Sequence, residues 1–190
     1  MTVLAAAITK QDGVVIAADS QISWEYGKSD EGPGKLWVDK ERKFIFGSCG
    51  DIRAAQVIQN WTDWPEFRDF HKGSIEKFVI KEVIPAMREA LNEHGALNTN
   101  KGVESFGAGV IMAWGNNLVA IDEDFSVLLP VSGRWAMGSG ESEAFGSLGD
   151  VGPWTKGDVI QAARVATKTA MGVGGDIFYV TSKSLLIKDA

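Results

Sequence analysis

The chain has 190 residues, 45% of them hydrophobic and 23% charged, the balance of an ordinary folded protein with room for one substantial core. Its net charge is −6 and its Lys and Arg residues are not clustered, which argues against nucleic acid as the main partner, because phosphate binding needs a concentrated basic surface. The single cysteine, Cys49, rules out an intrachain disulfide framework and suits a reducing, cytoplasmic setting, and no apolar run is long enough to span a membrane.

The N-terminal segment carries neither a basic leader nor a processing site, so the chain is expected to start on its first strand rather than on a signal peptide. Val3 to Thr9 is a short apolar run, Lys10-Gln11-Asp12-Gly13 a turn, and Val14 to Ser20 a second apolar run, which predicts an opening β-hairpin. Gln21 to Gly34 is polar and reads as a loop or irregular edge. Lys35 to Val38 and Lys43 to Ser48 are the next strands, joined by a charged turn. The period then changes: Ile52, Ala55, Ile58 and Trp61 are spaced for a helix face that Trp64-Pro65 ends. The best helix runs from Ser74 to about His94, with Pro85 expected to kink it or mark an irregular turn.

Gly95 to Ser105 reads as a polar connector. Phe106 to Trp114, Leu118 to Asp122 and Phe125 to Val131 predict a second block of strands, with Arg134 to Met137 adding a short one. Gly138-Ser139-Gly140 leads into a helix through Ala144 and Phe145. A second helix follows Thr155-Lys156-Gly157-Asp158, which has capping-box form with Asp in place of Glu. Asp176 to Thr181 and Ser184 to Ile187 form a final hairpin. Hairpins dominate, and strands and helices come in separate runs, so the expected class is α+β. Two mainly antiparallel sheets sandwiched between helix pairs, a four-layer αββα domain over residues 1–190, satisfy this order because each sheet face needs an apolar cover.

Common catalytic motifs fail. Gly34-Lys35 is followed by Leu36, and Ser29 stands where a P-loop needs its first glycine; Ser139 has Met137 where a nucleophile elbow needs glycine. Only His71 and His94 are available, which weakens both a zinc site and a Ser-His-Asp triad. Cys49 sits in an apolar strand and reads as inert core, and the scattered tryptophans read as packing residues. A remaining way to activate a hydroxyl is the α-amine of the same residue, whose pKa of about 7.7–8.0 lets it accept and return a proton near neutral pH. Thr2 offers that pair of groups once Met1 is removed.

Thr2-Val3, Val14-Val15-Ile16-Ala17-Ala18-Asp19-Ser20-Gln21, Gly34-Lys35-Leu36, Ile45-Phe46-Gly47-Ser48-Cys49-Gly50-Asp51, Gly138-Ser139-Gly140 and Gly174-Gly175-Asp176-Ile177 occur in that order. Together they resemble the proteasome β-type and HslV-like peptidase subunits, N-terminal-nucleophile (Ntn) hydrolases, over essentially the whole chain. The resemblance implies Thr2 as nucleophile with its amine as base, and Asp19 paired with Lys35, which lowers the proton affinity of the hydroxyl. It further implies the Gly47 N–H as oxyanion donor, and Ser139 and Asp176 orienting the amine and a water. Ile22, Pro33, Ile45, Cys49 and Arg53 would surround the primary specificity pocket, Arg53 admitting an acidic side chain. It also implies stacked homo-oligomeric rings cleaving polypeptides in a closed chamber, an ATP-dependent unfoldase as partner, and no cofactor in catalysis, with room for a structural monovalent cation. Thr2 to Asp19 is one position longer than in the family, which the Asp12-Gly13 turn absorbs, and Tyr179 stands where many proteasome subunits have serine. Two other readings stay open: a silent ring-forming subunit, if Met1 is retained, and an Ntn amidase acting on a small amide.

Overall fold

The computed structural model describes residues 2–24, 27–30, 32, 34–68, 74–100 and 102–190. The opening hairpin forms as expected: β1 (Leu4–Thr9) and β2 (Gly13–Asp19) pair antiparallel from Leu4↔Ala18 to Thr9↔Gly13. Gly13 carries the positive φ of 73° that the tight turn requires. β12 (Arg134–Met137) joins the outer side of β1, while β13 (Ile177–Thr181) and then β14 (Ile187–Asp189) extend the sheet beyond β2, giving the order β12-β1-β2-β13-β14. A second five-stranded sheet has the order β11-β10-β9-β6-β5, built from β5 (Leu36–Asp39), β6 (Phe44–Gly50), β9 (Ala108–Trp114), β10 (Asn117–Ile121) and β11 (Val127–Leu128). All the strand-to-strand pairings described in both sheets are antiparallel, and one isolated parallel bridge joins Thr9 to Trp154.

Three apolar clusters fill the spaces between four layers. Leu4, Ile16, Leu36, Ile45, Ile111 and Val180 meet between the two sheets. The alanines and valines of β1 and β2 pack outward against α4 (Glu141–Leu148) and α5 (Lys156–Thr169), which bring Ala144, Val159, Ala163 and Ala166. On the far side, Phe44, Phe46 and Met112 pack against α1 (Ile52–Asn60) and α3 (Ile84–Glu93). Phe44 lies within 5.8 Å of Trp64 and 5.4 Å of Trp114, so these tryptophans pack a core rather than bind a ligand. The layers run helix, sheet, sheet, helix: the αββα architecture the element order called for.

Sequence and structure part in four places. Gln21 to Gly34 is not plain loop: β3 (Gln21–Trp24) and β4 (Gly27–Asp30) form a separate hairpin. The connector after the long helix holds another, β7 (Asn98–Asn100) with β8 (Val103–Ser105). Phe125 to Val131 shrinks to the two residues of β11, and the last strand begins at Ile187 rather than Ser184. The long helix is α2 (Ile75–Phe78), a π-helical turn (Val79–Val83) and α3 in continuous succession, with the Ile84 N–H reaching the Val79 carbonyl. The wide turn precedes Pro85, whose ring in a regular helix would clash with the carbonyl four residues back. Its extra residue rotates the apolar stripe, so Ile84 is buried while Ala86 is only partly so. The α5 capping box is complete, Thr155 Oγ1 accepting from Asp158 N and Asp158 Oδ2 from Thr155 N.

Candidate active site

β1 carries Thr2 to the end of the first sheet nearest α4, where two cavities meet. Thr2 is 6% exposed and lines both. Its backbone nitrogen, an amide while Met1 is attached and the α-amine once it is gone, donates to Ser139 Oγ at 3.1 Å. The Thr2 carbonyl accepts from Ser139 Oγ at 3.3 Å and from Gly140 N at 3.2 Å. Gly138, at φ 93°, makes this approach feasible, because any Cβ there would collide with the Thr2 carbonyl oxygen.

Asp19, at the end of β2, is the structural hub. Its Oδ1 accepts from Val3 N at 2.9 Å and from Lys35 Nζ at 2.7 Å, and its Oδ2 from Gly174 N at 3.2 Å. One carboxylate thus ties the residue next to Thr2, the start of β5 and the loop before β13. Lys35 Nζ also donates to the Gln21 carbonyl at 2.6 Å. Burial holds the Lys35 ammonium below its usual 10.5, and the Asp19 charge and hydrogen bond oppose that shift. The result is a cation with little water around it, placed in a cavity wall shared with Thr2.

The first cavity, about 200 Å³, runs from Thr2 between β3 and the end of β6 to α1. Ile22 and Cys49 line it, as do Ser23, Ser48 and Gly50. Ile52, Ala55, Gln56 and Gln59 complete it, their spacing placing them on one face of α1. Arg53 lies off that face and donates to the His94 carbonyl at 2.7 Å, away from the cavity, so it offers no cation to an acidic substrate there. Ile45 is fully buried between the sheets and is not in the cavity wall. Pro33 lies outside the described residues. Burial pushes the Cys49 thiol up to about 11, in keeping with an inert wall residue.

Gly47, expected as the oxyanion donor, lines neither cavity. Ser48 N donates to the Lys35 carbonyl across the β5 side, and Asp51 N to the Gly107 carbonyl across the β9 side. N–H groups alternate along a strand, so that of Gly47 faces β9 opposite Ile111 and is taken up by the sheet. The cleft-side positions near Thr2 are Ser48 and Gly50, and of these Gly50 lines both cavities with Thr2 and lies past the Ser48–Lys35 bond. Gly47 has a packing reason instead: a Cβ there would crowd Leu4, Ile16 and Leu36 at 3.1–3.2 Å.

Asp176 is exposed and lines neither cavity; its N–H donates to Ser20 Oγ at 2.8 Å and its carbonyl accepts from Ser20 N at 2.9 Å. It braces the segment that follows Asp19. The structure thus gathers Thr2, Asp19, Lys35 and Ser139, sets Ile22 and Cys49 beside them, and leaves Gly47, Asp176, Ile45 and Arg53 outside. Gly50, Ser20, Gly138 and Gly174 join the site; all four stand inside motifs quoted from the sequence, but only the fold assigns them contacts.

No family model matches the chain, and no curated protein matches its sequence. Solved structures do. BPH from Thiobacillus denitrificans superposes with a TM-score of 0.75 at 19% identity, over 95% of this chain and 97% of that one. The same protein in complex with epoxomicin gives 0.71 at 17%, over 95% and 97%. The eukaryotic HslV of Trypanosoma brucei gives 0.63 at 19%, over 94% and 98%. The four-layer arrangement, with Thr2 at the end of a central strand, therefore has the HslV-like, proteasome β-type fold.

Proposed function

We propose that the protein is a threonine endopeptidase of the proteasome β-type and HslV-like kind, with Thr2 as nucleophile after removal of Met1 by an aminopeptidase. The observation that carries this reading is the placement of Thr2: buried, its nitrogen held by Ser139, and in a shared cavity wall with the desolvated Lys35. The amine takes the hydroxyl proton as Oγ attacks the peptide carbonyl. Lys35 favours the developing negative charge, and the Gly50 N–H, on the cleft side of β6, replaces Gly47 as the inferred oxyanion donor. The amine then passes the proton to the departing nitrogen, the C–N bond breaks and an ester to Thr2 remains. A water gives its proton to the amine and attacks the ester, and that proton returns to Oγ as the acid leaves. The α-amine is both base and acid, so this chain of steps is complete without a cofactor.

Assembly into stacked rings, an ATP-dependent unfoldase partner and a cytoplasmic setting belong to the same proposal, supported by the HslV-like fold. The test pairs intact mass with hydrolysis of a fluorogenic peptide amide. Protein lacking Met1 is expected to cleave it, epoxomicin to block cleavage, and Thr2→Ala to lose at least about 10³-fold in kcat/KM. Retained Met1 after native expression, or unchanged activity in Thr2→Ala, would remove the proposal.

A further inference from the structure

The second cavity, about 380 Å³, lies on the opposite side of Thr2 from α1. Cys49 and Gly50 separate it from the first, and Gly107 to Gly109, Trp135 to Gly138 and Ser139 form its walls. Three carboxylates line it, those of Asp122, Glu123 and Glu141, and no Lys, Arg or His does. Among the described residues none of the three carboxylates has an ion-pair partner. Burial, and then the Asp122 charge, push the Glu141 carboxyl above its ordinary range, so these two carboxylates lie close enough to repel. They are not gathered as a metal site, since no described His, Cys, Asp or Glu side chains group in threes close enough to hold an ion.

Which half of a substrate enters this cavity follows from the chemistry proposed above, on which this inference rests. The acyl half stays bonded to Thr2 Oγ, whose developing charge is favoured by Lys35, which lines only the first cavity. The departing nitrogen needs a proton from the Thr2 amine, and the amine is held by Ser139, which lines only the second. The leaving half therefore extends into the second cavity. We propose that this cavity is the subsite for the residues following the scissile bond, and that Asp122, Glu123 and Glu141 make it select a basic side chain there. A flexible Lys or Arg, carrying its charge on a long apolar stem, fits a cavity lined both by exposed carboxylates and by Leu128, Trp135 and Met137. The first cavity is lined by one lysine and one aspartate, Lys35 and Asp51, and carries no such bias, so the preference belongs to one side of the cleavage point.

The test uses the Met1-free protein and internally quenched peptides identical up to the scissile bond, with Lys, Ala or Glu directly after it. At low salt, kcat/KM is expected to be about tenfold higher for Lys than for Glu, with Ala between, and the ratio should shrink as salt is raised. The same Lys/Glu ratio measured within the Asp122→Asn, Glu141→Gln double variant should fall to about twofold or less, an internal ratio that does not depend on how much active protein the variant yields. Equal rates for the three peptides, or an unchanged ratio in the variant, would overturn the assignment. A fluorogenic amide with no amino acid after the scissile bond separates the two levels of the argument. Cleavage of that amide without any Lys/Glu preference defeats the subsite alone, whereas its inertness defeats the peptidase reading with it.

Discussion

Thr2, Asp19 and Lys35 illustrate how much a few side chains can decide when one carboxylate serves several elements. Asp19 holds Val3 N and Lys35 Nζ on the same oxygen. A shift of either partner is therefore passed to the backbone beside the nucleophile. This pair was legible in the sequence only through the family resemblance, because the hairpin that separates Asp19 from Lys35 has no apolar face to announce it. The oxyanion donor was not legible. Which edge an N–H faces depends on the pairing register of β6, and that register is fixed by partners 58 to 70 positions away in β9. Cys49 gives a prediction at this scale. Its thiol stands about two pH units above the ordinary 9.0, so at pH 8 the folded protein should react with iodoacetamide about 100-fold more slowly than the urea-unfolded chain. The folded state keeps that proton while the unfolded state has lost it, so stability contributed by the buried neutral thiol declines as pH rises from about 9 to about 11. Alkylation rates and urea midpoints across that window measure both effects.

Elements with one apolar face and one polar face could be read directly. α1 and α5 have that property, the β1–β2 hairpin was readable as two apolar runs buried on both faces, and α5 also announced its start through Thr155 and Asp158. The hairpins β3–β4 and β7–β8 could not, because neither has a consistently buried face: β4 alternates between half-buried and exposed and β8 has no buried residue. What holds β3 is polar, Gln21 Nε2 and Ser23 Oγ both reaching the Gly172 carbonyl at 3.0 and 3.2 Å. Arg53 was set at the pocket by the family resemblance alone, and on α1 it falls off the face that carries Ile52, Ala55, Gln56 and Gln59. The turn joining β12 to α4 is where element geometry bears on chemistry. Gly138→Ala should displace Thr2 and lower peptide hydrolysis by about 10²-fold, a cost of the order produced by an ångström of misplacement. Steady-state kinetics beside a thermal melt would check it, the expected result being a rate loss well out of proportion to the change in Tm.

At the scale of the whole molecule, the four layers were readable from the order of runs because each apolar sheet face requires a cover, and three clusters fill the three gaps. No helix among the described residues is long and apolar enough to cross a membrane. Assembly was not readable in the same way, since apolar side chains exposed singly, such as Val131, Val151 and Met171, are normal on any surface. The chamber model makes its own demand: sedimentation velocity should find a species several times the 20.5 kDa chain mass, stable on dilution. Monomer alone at high concentration would leave the cleft open to bulk proteins and remove the model.

The burial of Thr2 also settles how the polypeptide can be handled. Thr2 lines the two cavities that meet there, so residues joined ahead of it are expected to crowd the path a substrate would use, while Asp189 and Ala190 end at the exposed margin of the first sheet. A purification handle on the N-terminal side would act as a tethered plug and mask the amine chemically. The same handle placed after Ala190 leaves both routes clear, so the two fusions should differ as a stoppered vessel differs from an open one.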